Sequence, residues 1–125
     1  MNMKANNYDL ISVGGRKKIA LKEIIMLRAE VNYTYVYLTD GSRFLVSYTL
    51  KKLAKRFSEF DYFVRPNKSV LLNTKYTSSF DGLVLQISLP NGEILQNAVI
   101  SRRKKPIIQQ KMKELKKIDA YFLSR

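Results

Sequence analysis

EIIMLRAEVNYTYVYLTDGSRFLV, running from Glu23 to Val46, decides the fold class. Two apolar runs flank Asn32, and Tyr33, Tyr35 and Tyr37 alternate with Thr34, Val36 and Leu38, the period of two that a strand imposes. Asp40-Gly41, followed by Phe44 and Val46, reads as a hairpin turn into another strand. The stretch therefore predicts antiparallel β structure. A second hairpin is predicted where Leu83, Leu85, Ile87 and Leu89 recur at spacing two, followed by Asn91-Gly92 and then Ile94 to Ile100. Shorter strand candidates lie at Tyr8 to Val13 and Lys18 to Leu21. Asp40, Asp81 and Asn91, each before glycine, read as turn formers.

Between the hairpins the period changes. Leu50, Leu53, Ala54 and Phe57 fall at i, i+3, i+4 and i+7 with Lys51, Lys52, Lys55 and Arg56 on the other face, predicting a short helix over 49–57 capped by Thr49. After Pro106, a good first-turn residue, Ile108, Met112, Leu115, Ile118 and Phe122 trace the stripe of a C-terminal helix over 106–122. That stripe has to be buried, and the expectation is packing against its own domain rather than a dimer interface. No repeat, linker or low-complexity tract interrupts the chain, so residues 1–125 read as one domain.

Composition narrows the chemistry. With 125 residues and 46% of them hydrophobic, the chain can bury a core without disulfides or metal. Twenty-three Lys and Arg against ten Asp and Glu leave a net charge of +13, which calls for a polyanionic partner or an anionic surface. Histidine and cysteine are both absent, which excludes imidazole acid/base catalysis, thiol nucleophiles, disulfides and His/Cys metal cages. No cofactor or small-molecule substrate is indicated. The N-terminus lacks the apolar run of a signal peptide and no window reaches membrane-spanning length, so the reading is a cytoplasmic protein.

Two clusters place cationic and hydrogen-bonding side chains on a strand-forming framework: FVRPNKSVLLN, Phe63 to Asn73, and SRRKK, Ser101 to Lys105. Such an arrangement grips phosphates and reads base edges. In the first, Pro66 stiffens the approach and Val70, Leu71 and Leu72 anchor the exit, so that Asn67, Lys68 and Ser69 are displayed on a braced loop. In the second, Arg102, Arg103, Lys104 and Lys105 stand at the start of a helix, where the macrodipole disfavours cations by a few tenths of a kcal/mol each, so another interaction must favour them. A solvated basic corner is the bland alternative. Arg65 either touches phosphate or pairs with an acid such as Glu30.

Taken together, LRAEVNYTYVYLTDG, the helix TLKKLAKRF, FVRPNKSVLLN and NGEILQNAVISRRKK resemble, from roughly Ile19 to Pro106, the LytTR family of bacterial DNA-binding domains, with a C-terminal helical extension over 106–125. The resemblance implies a mainly β, elongated domain of about ten short strands in small antiparallel sheets that inserts loops into successive major grooves. It implies a transcriptional regulator, not an enzyme, with double-stranded DNA as partner, tandem repeat sites, and pairing of two copies on DNA left open. Family members usually carry a receiver domain or membrane segment ahead of this module, as response-regulator output domains do. Here about eighteen residues precede the match, so a stand-alone regulator is expected.

By the same resemblance Arg103 stands where the family places a base-contacting arginine, with Ser101, Arg102 and Lys104 beside it. Lys68 matches a groove-reaching position, while many members have a histidine or similar residue at the position of Asn67. Asn32 and Tyr33 fall on the family loop that offers a polar or aromatic side chain to the groove; alternatively Tyr33, Tyr35 and Tyr37 form a packed ladder. Two rival functions are weighed against this reading. One is a surface protein binding acidic lipid through the C-terminal helix; the other is a metal-dependent nuclease, disfavoured because the ten acids are scattered.

Overall fold

The computed structural model describes residues 10–14, 17–80 and 82–123, and their side chains except at Lys17, 78–80 and 116–123. Among these, ten strands form three antiparallel sheets. A two-stranded sheet pairs β1 (Leu10–Gly14) with β2 (Lys17–Ala20). The central sheet has the order β5-β4-β3-β7-β6, built from β3 (Ile24–Glu30), β4 (Tyr33–Leu38), β5 (Arg43–Val46), β6 (Phe63–Asn67) and β7 (Val70–Asn73). A third sheet joins β8 (Thr77–Phe80), β9 (Val84–Ser88) and β10 (Ile94–Val99). Two α-helices complete the chain, α1 (Leu50–Phe57) and α2 (Lys105–Leu123). Both predicted hairpins and both helices are present, and the early strand candidates are borne out from Leu10 onward; Tyr8 and Asp81 lie outside the described residues.

Strand β3 lies in the middle of the central sheet, and Ile24, Ile25, Met26 and Leu27 are all fully buried. Strict alternation would send Ile24 and Met26 to one face. Instead the pairing with β4 shifts between Ile24 and Met26, a bulge that sends Ile25 and Met26 to the same side and Ile24 and Leu27 to the other. The central sheet thus has two buried faces. On one, α1 (Leu50, Leu53, Phe57) and the first hairpin (Ile11, Val13) close over Leu27, Val36 and Leu71. On the other, the third sheet (Leu85, Ile87, Ala98) and α2 (Ile108, Met112) close over Met26, Val64 and Leu72. Two of the five residues of the α2 stripe, Ile108 and Met112, are therefore core and Leu115 is half-buried; the side chains of Ile118 and Phe122 lie outside the described residues.

Local chemistry explains the connections. Thr49 has extended backbone angles and its Oγ1 accepts from the Lys52 N–H at 3.2 Å, so α1 starts where a capping hydroxyl is available. Two of the glycine-containing hairpin turns share one device. Asp40 Oδ1 accepts from Ser42 N at 2.9 Å with Gly41 at φ +88°, and Asn91 Oδ1 accepts from Glu93 N at 2.9 Å with Gly92 at φ +92°. The bonds from Ser42 hold the Asp40 carboxyl below its ordinary pKa.

Asn73 ties the core to the β7 exit. Fully buried, it donates from Nδ2 to the Ile24 carbonyl at 3.0 Å and accepts from Lys75 N at 3.0 Å. Replacing it with alanine strands the buried Ile24 carbonyl, so Asn73→Ala should lower unfolding free energy by roughly 1–3 kcal/mol. Urea titration followed by circular dichroism checks this; an unchanged midpoint would show that water reaches that carbonyl.

Candidate nucleic-acid interface

The register of the central sheet brings two turns to the same end. Glu30 pairs with Tyr33 across the β3–β4 turn of Val31 and Asn32, and Arg28 of β3 pairs with Val70 of β7. The Ala29 N–H then donates to the Ser69 carbonyl at 2.8 Å, so the β6–β7 turn of Lys68 and Ser69 sits beside the β3–β4 turn. Past β6 comes the segment that leaves β10 and enters α2 through a single 3₁₀ turn, Arg102–Lys104. Two bonds fasten it: Asn67 Nδ2 donates to the Val99 carbonyl at 2.6 Å, and Ser101 N donates to the Pro66 carbonyl at 2.9 Å. Three polar segments, far apart in sequence, are held in a row.

Between the second and third of them lies a groove of about 1250 Å³, bordered by Asn67, Lys68, Ser69, Gln96, Asn97, Ser101, Arg103 and Lys104, with Lys51 reaching in from α1. Lys51, Arg65, Lys68, Arg103 and Lys104 all line it, and no acidic residue does. A concave surface with one sign of charge focuses its field on a polyanion. Arg65 forms part of the wall: Nη2 donates to the Lys68 carbonyl at 3.1 Å, while Nε is buried without a hydrogen-bond partner. Burial pulls its pKa below the ordinary arginine value. The pairing with Glu30 considered from sequence is replaced by this bond to the loop backbone.

The sequence model of the LytTr DNA-binding domain matches residues 14–118. The chain belongs to the LytTR family. That is a DNA-binding family and not an enzyme family, and the matched segment runs past Pro106 into most of α2. Among solved structures, a LytTr DNA-binding domain from Bacillus cereus is similar with a TM-score of 0.61 and 14% identity, over 86% of this chain and 98% of that one, which shows a shared fold. No curated protein matches the sequence.

In this LytTR domain, six of the nine residues singled out from sequence line the groove: Asn67, Lys68, Ser69, Ser101, Arg103 and Lys104. Asn32 and Tyr33 are exposed on the neighbouring turn, and Arg102 is exposed outside the groove. Lys68, Ser69 and Arg103 are exposed, whereas the Asn67 amide is engaged at both ends, its Oδ1 accepting from Ser69 N at 2.7 Å. The tyrosine ladder is only partly formed. Tyr35 and Tyr37 sit 6.3 Å apart between Arg28 and Arg43, with the Arg43 guanidinium 4.2 Å from the Tyr35 ring and both arginines donating to the Tyr37 hydroxyl at 3.1 Å. That bond raises the Arg43 pKa above its ordinary value. Tyr33, 48% exposed, has no ring partner among the described residues.

Sequence reasoning passed over Lys51, which reads as one of four solvated helix lysines and arginines, and Val31, which reads as the end of an apolar run. Val31 is 89% exposed with φ +54°, the one non-glycine residue at positive φ among those described. Positive φ at the first of two turn residues is the sign pattern of a II′ hairpin, a position that glycine normally fills. Val31→Gly should therefore raise stability, by about 1 kcal/mol, through relief of the β-branched side chain in the left-handed region. Thermal unfolding measures it; a lowered midpoint would show that the valine is held there by contacts rather than tolerated.

Proposed function

We propose that this LytTR domain is the DNA-reading part of a transcriptional regulator, binding specific double-stranded sites by setting its three adjoining polar segments into successive major grooves. The observation that carries the reading is the row itself: exposed Asn32 and Tyr33, then Lys68 and Ser69, then Arg103, fixed side by side by backbone hydrogen bonds, with five cations and no acid lining the groove between the second and third segments. Arg103 donates its fork to guanine O6 and N7, and Lys68 reaches a base edge or a phosphate next to it. Arg102, Lys104 and the Ser101 hydroxyl, which caps no helix N–H, hold phosphates. Asn67 acts by bracing the loop. Two copies on tandem half-sites, some bending of the duplex, and a place of action with the chromosome in the cytoplasm complete the proposal. The lipid-binding alternative loses ground because Ile108 and Met112, which a membrane-seated helix needs, are already in the core.

Binding should be steeply salt-dependent. With about five phosphates neutralised, log K should fall against log salt with a slope of roughly −4.5. On the site recovered by selection from random duplex DNA, Arg103→Ala should weaken binding by roughly 1–3 kcal/mol and relax preference at one base pair, with Lys68→Ala doing the same at another. Fluorescence anisotropy on cognate and scrambled duplexes measures both quantities. A slope near zero would overturn the electrostatic grip, and equal losses on both duplexes would move Arg103 from base reading to phosphate holding.

A further inference from the structure

The four cations of α1 divide into two pairs. Lys52 places its ammonium 4.5 Å from the centre of the Tyr48 ring, and the Arg56 guanidinium lies 4.8 Å from the same ring while donating to the Ser12 carbonyl at 3.0 Å. These two fasten the helix to its surroundings. Lys51 and Lys55 stand one turn apart on another face, both exposed and neither partnered among the described residues. Like charges at i and i+4 repel and destabilise a helix, and the eight residues of α1 include no acid to offset them.

What Lys51 and Lys55 face is a second hollow, of about 380 Å³, whose polar wall is made by these two lysines with Arg65, Lys104 and Ser58. Lys51, Arg65 and Lys104 also line the larger groove, so the two concavities share a wall and form one basic track from the β6–β7 turn to the middle of α1. Arg65, between them, carries the buried Nε that lacks a partner. No acidic residue lines either concavity. Four positive side chains around a hollow with no acid match the oxygens of a phosphodiester, which brings negative charge and several acceptors to one point.

We propose that the DNA footprint continues beyond the three reading segments onto α1, where Lys51, Lys55, Arg65 and Lys104 seat a backbone phosphate. This rests on the DNA-binding reading and adds to it a non-reading contact on a helix. Because a phosphate carries no sequence information, the seat fixes how the domain is tilted on the duplex and contributes equally on every sequence.

The test uses Lys51→Ala/Lys55→Ala, with Lys52→Ala as the control on the same helix. Alanine is the best helix former and both sites are exposed, so the double variant should retain its circular dichroism spectrum. It should lose affinity for cognate and scrambled duplexes by the same factor, roughly tenfold near physiological salt, and its salt slope should be shallower by about 0.9, the share of one phosphate. Ethylating one phosphate flanking the cognate site should weaken the parent protein and leave the double variant unaffected. An unchanged slope and affinity, beside a parent protein that binds DNA steeply with salt, would overturn the seat and leave the reading segments standing. A parent protein that binds no DNA would overturn both. Inorganic phosphate that displaces DNA from the parent, but not from the double variant, beyond the effect of chloride at equal ionic strength would assign the hollow to a free anion instead of the duplex backbone.

Discussion

The burial of the first four residues of β3, Ile24 to Leu27, on both faces of the sheet governs the rest of the domain. A strand with four consecutive side chains out of water has to sit between neighbours, and its register on each side is fixed because a one-residue slip would turn apolar groups outward. On the β7 side that register aligns Leu27 with Leu71 and Arg28 with Val70. The next step along, Ala29 to Ser69, is already the edge of the interface. Core packing thus sets the spacing of the two turns to within the tolerance of a hydrogen bond. Burying each of these large apolar side chains contributes about 1.5–3 kcal/mol, far more than a polar turn contributes for itself.

The charge distribution follows a different logic from the core. Several cations are absorbed by aromatic faces: Arg28 and Arg43 by Tyr35 and Tyr37, Lys52 and Arg56 by Tyr48. Those contacts cross between elements and support the fold. Lys51, Lys68, Arg103 and Lys104 are gathered on one side with no acid among the groove residues, an arrangement that raises the electrostatic free energy of the unbound domain. An anionic partner that neutralises them recovers that energy on binding.

Much of the fold was legible because its signals are local. The alternation of Tyr33 to Leu38, the Asp40-Gly41 and Asn91-Gly92 turns, the Thr49 cap and the Leu50, Leu53, Phe57 stripe each depend on residues within a few positions of one another, and each is found in place. Features set by distant partners were not legible. The bulge at Ile24 to Met26 depends on two different layers pulling adjacent side chains to one face, and Val31 was hidden by continuing an apolar run where the turn geometry prefers glycine. The residues of the proposed interface were found as motifs. Their adjacency was not, because it arises from bonds spanning 32 residues or more, such as Asn67 to Val99.

That last bond changes how base recognition must be understood. A loop residue whose amide is satisfied at both ends by Val99 and Ser69 does not gain by turning outward, since doing so would break two bonds inside the protein. Its contribution is to make the β6–β7 turn and the segment entering α2 a single rigid unit, with the Arg65 bond to the Lys68 carbonyl fixing the turn from the inner side. Lys68 and Arg103 are then presented at a constant separation instead of on two independent loops. On the proposed reading, preorganisation of this kind lowers the ordering entropy lost when DNA binds and makes the fit depend on the distance between the two contacted base pairs as well as on their identity. Energies of residues within one such network do not add as those of separate sites do. In the proposed interface the polar loop and the basic segment therefore act as one element, and Asn67, engaged at both ends, serves it as a brace and not as a reader of bases.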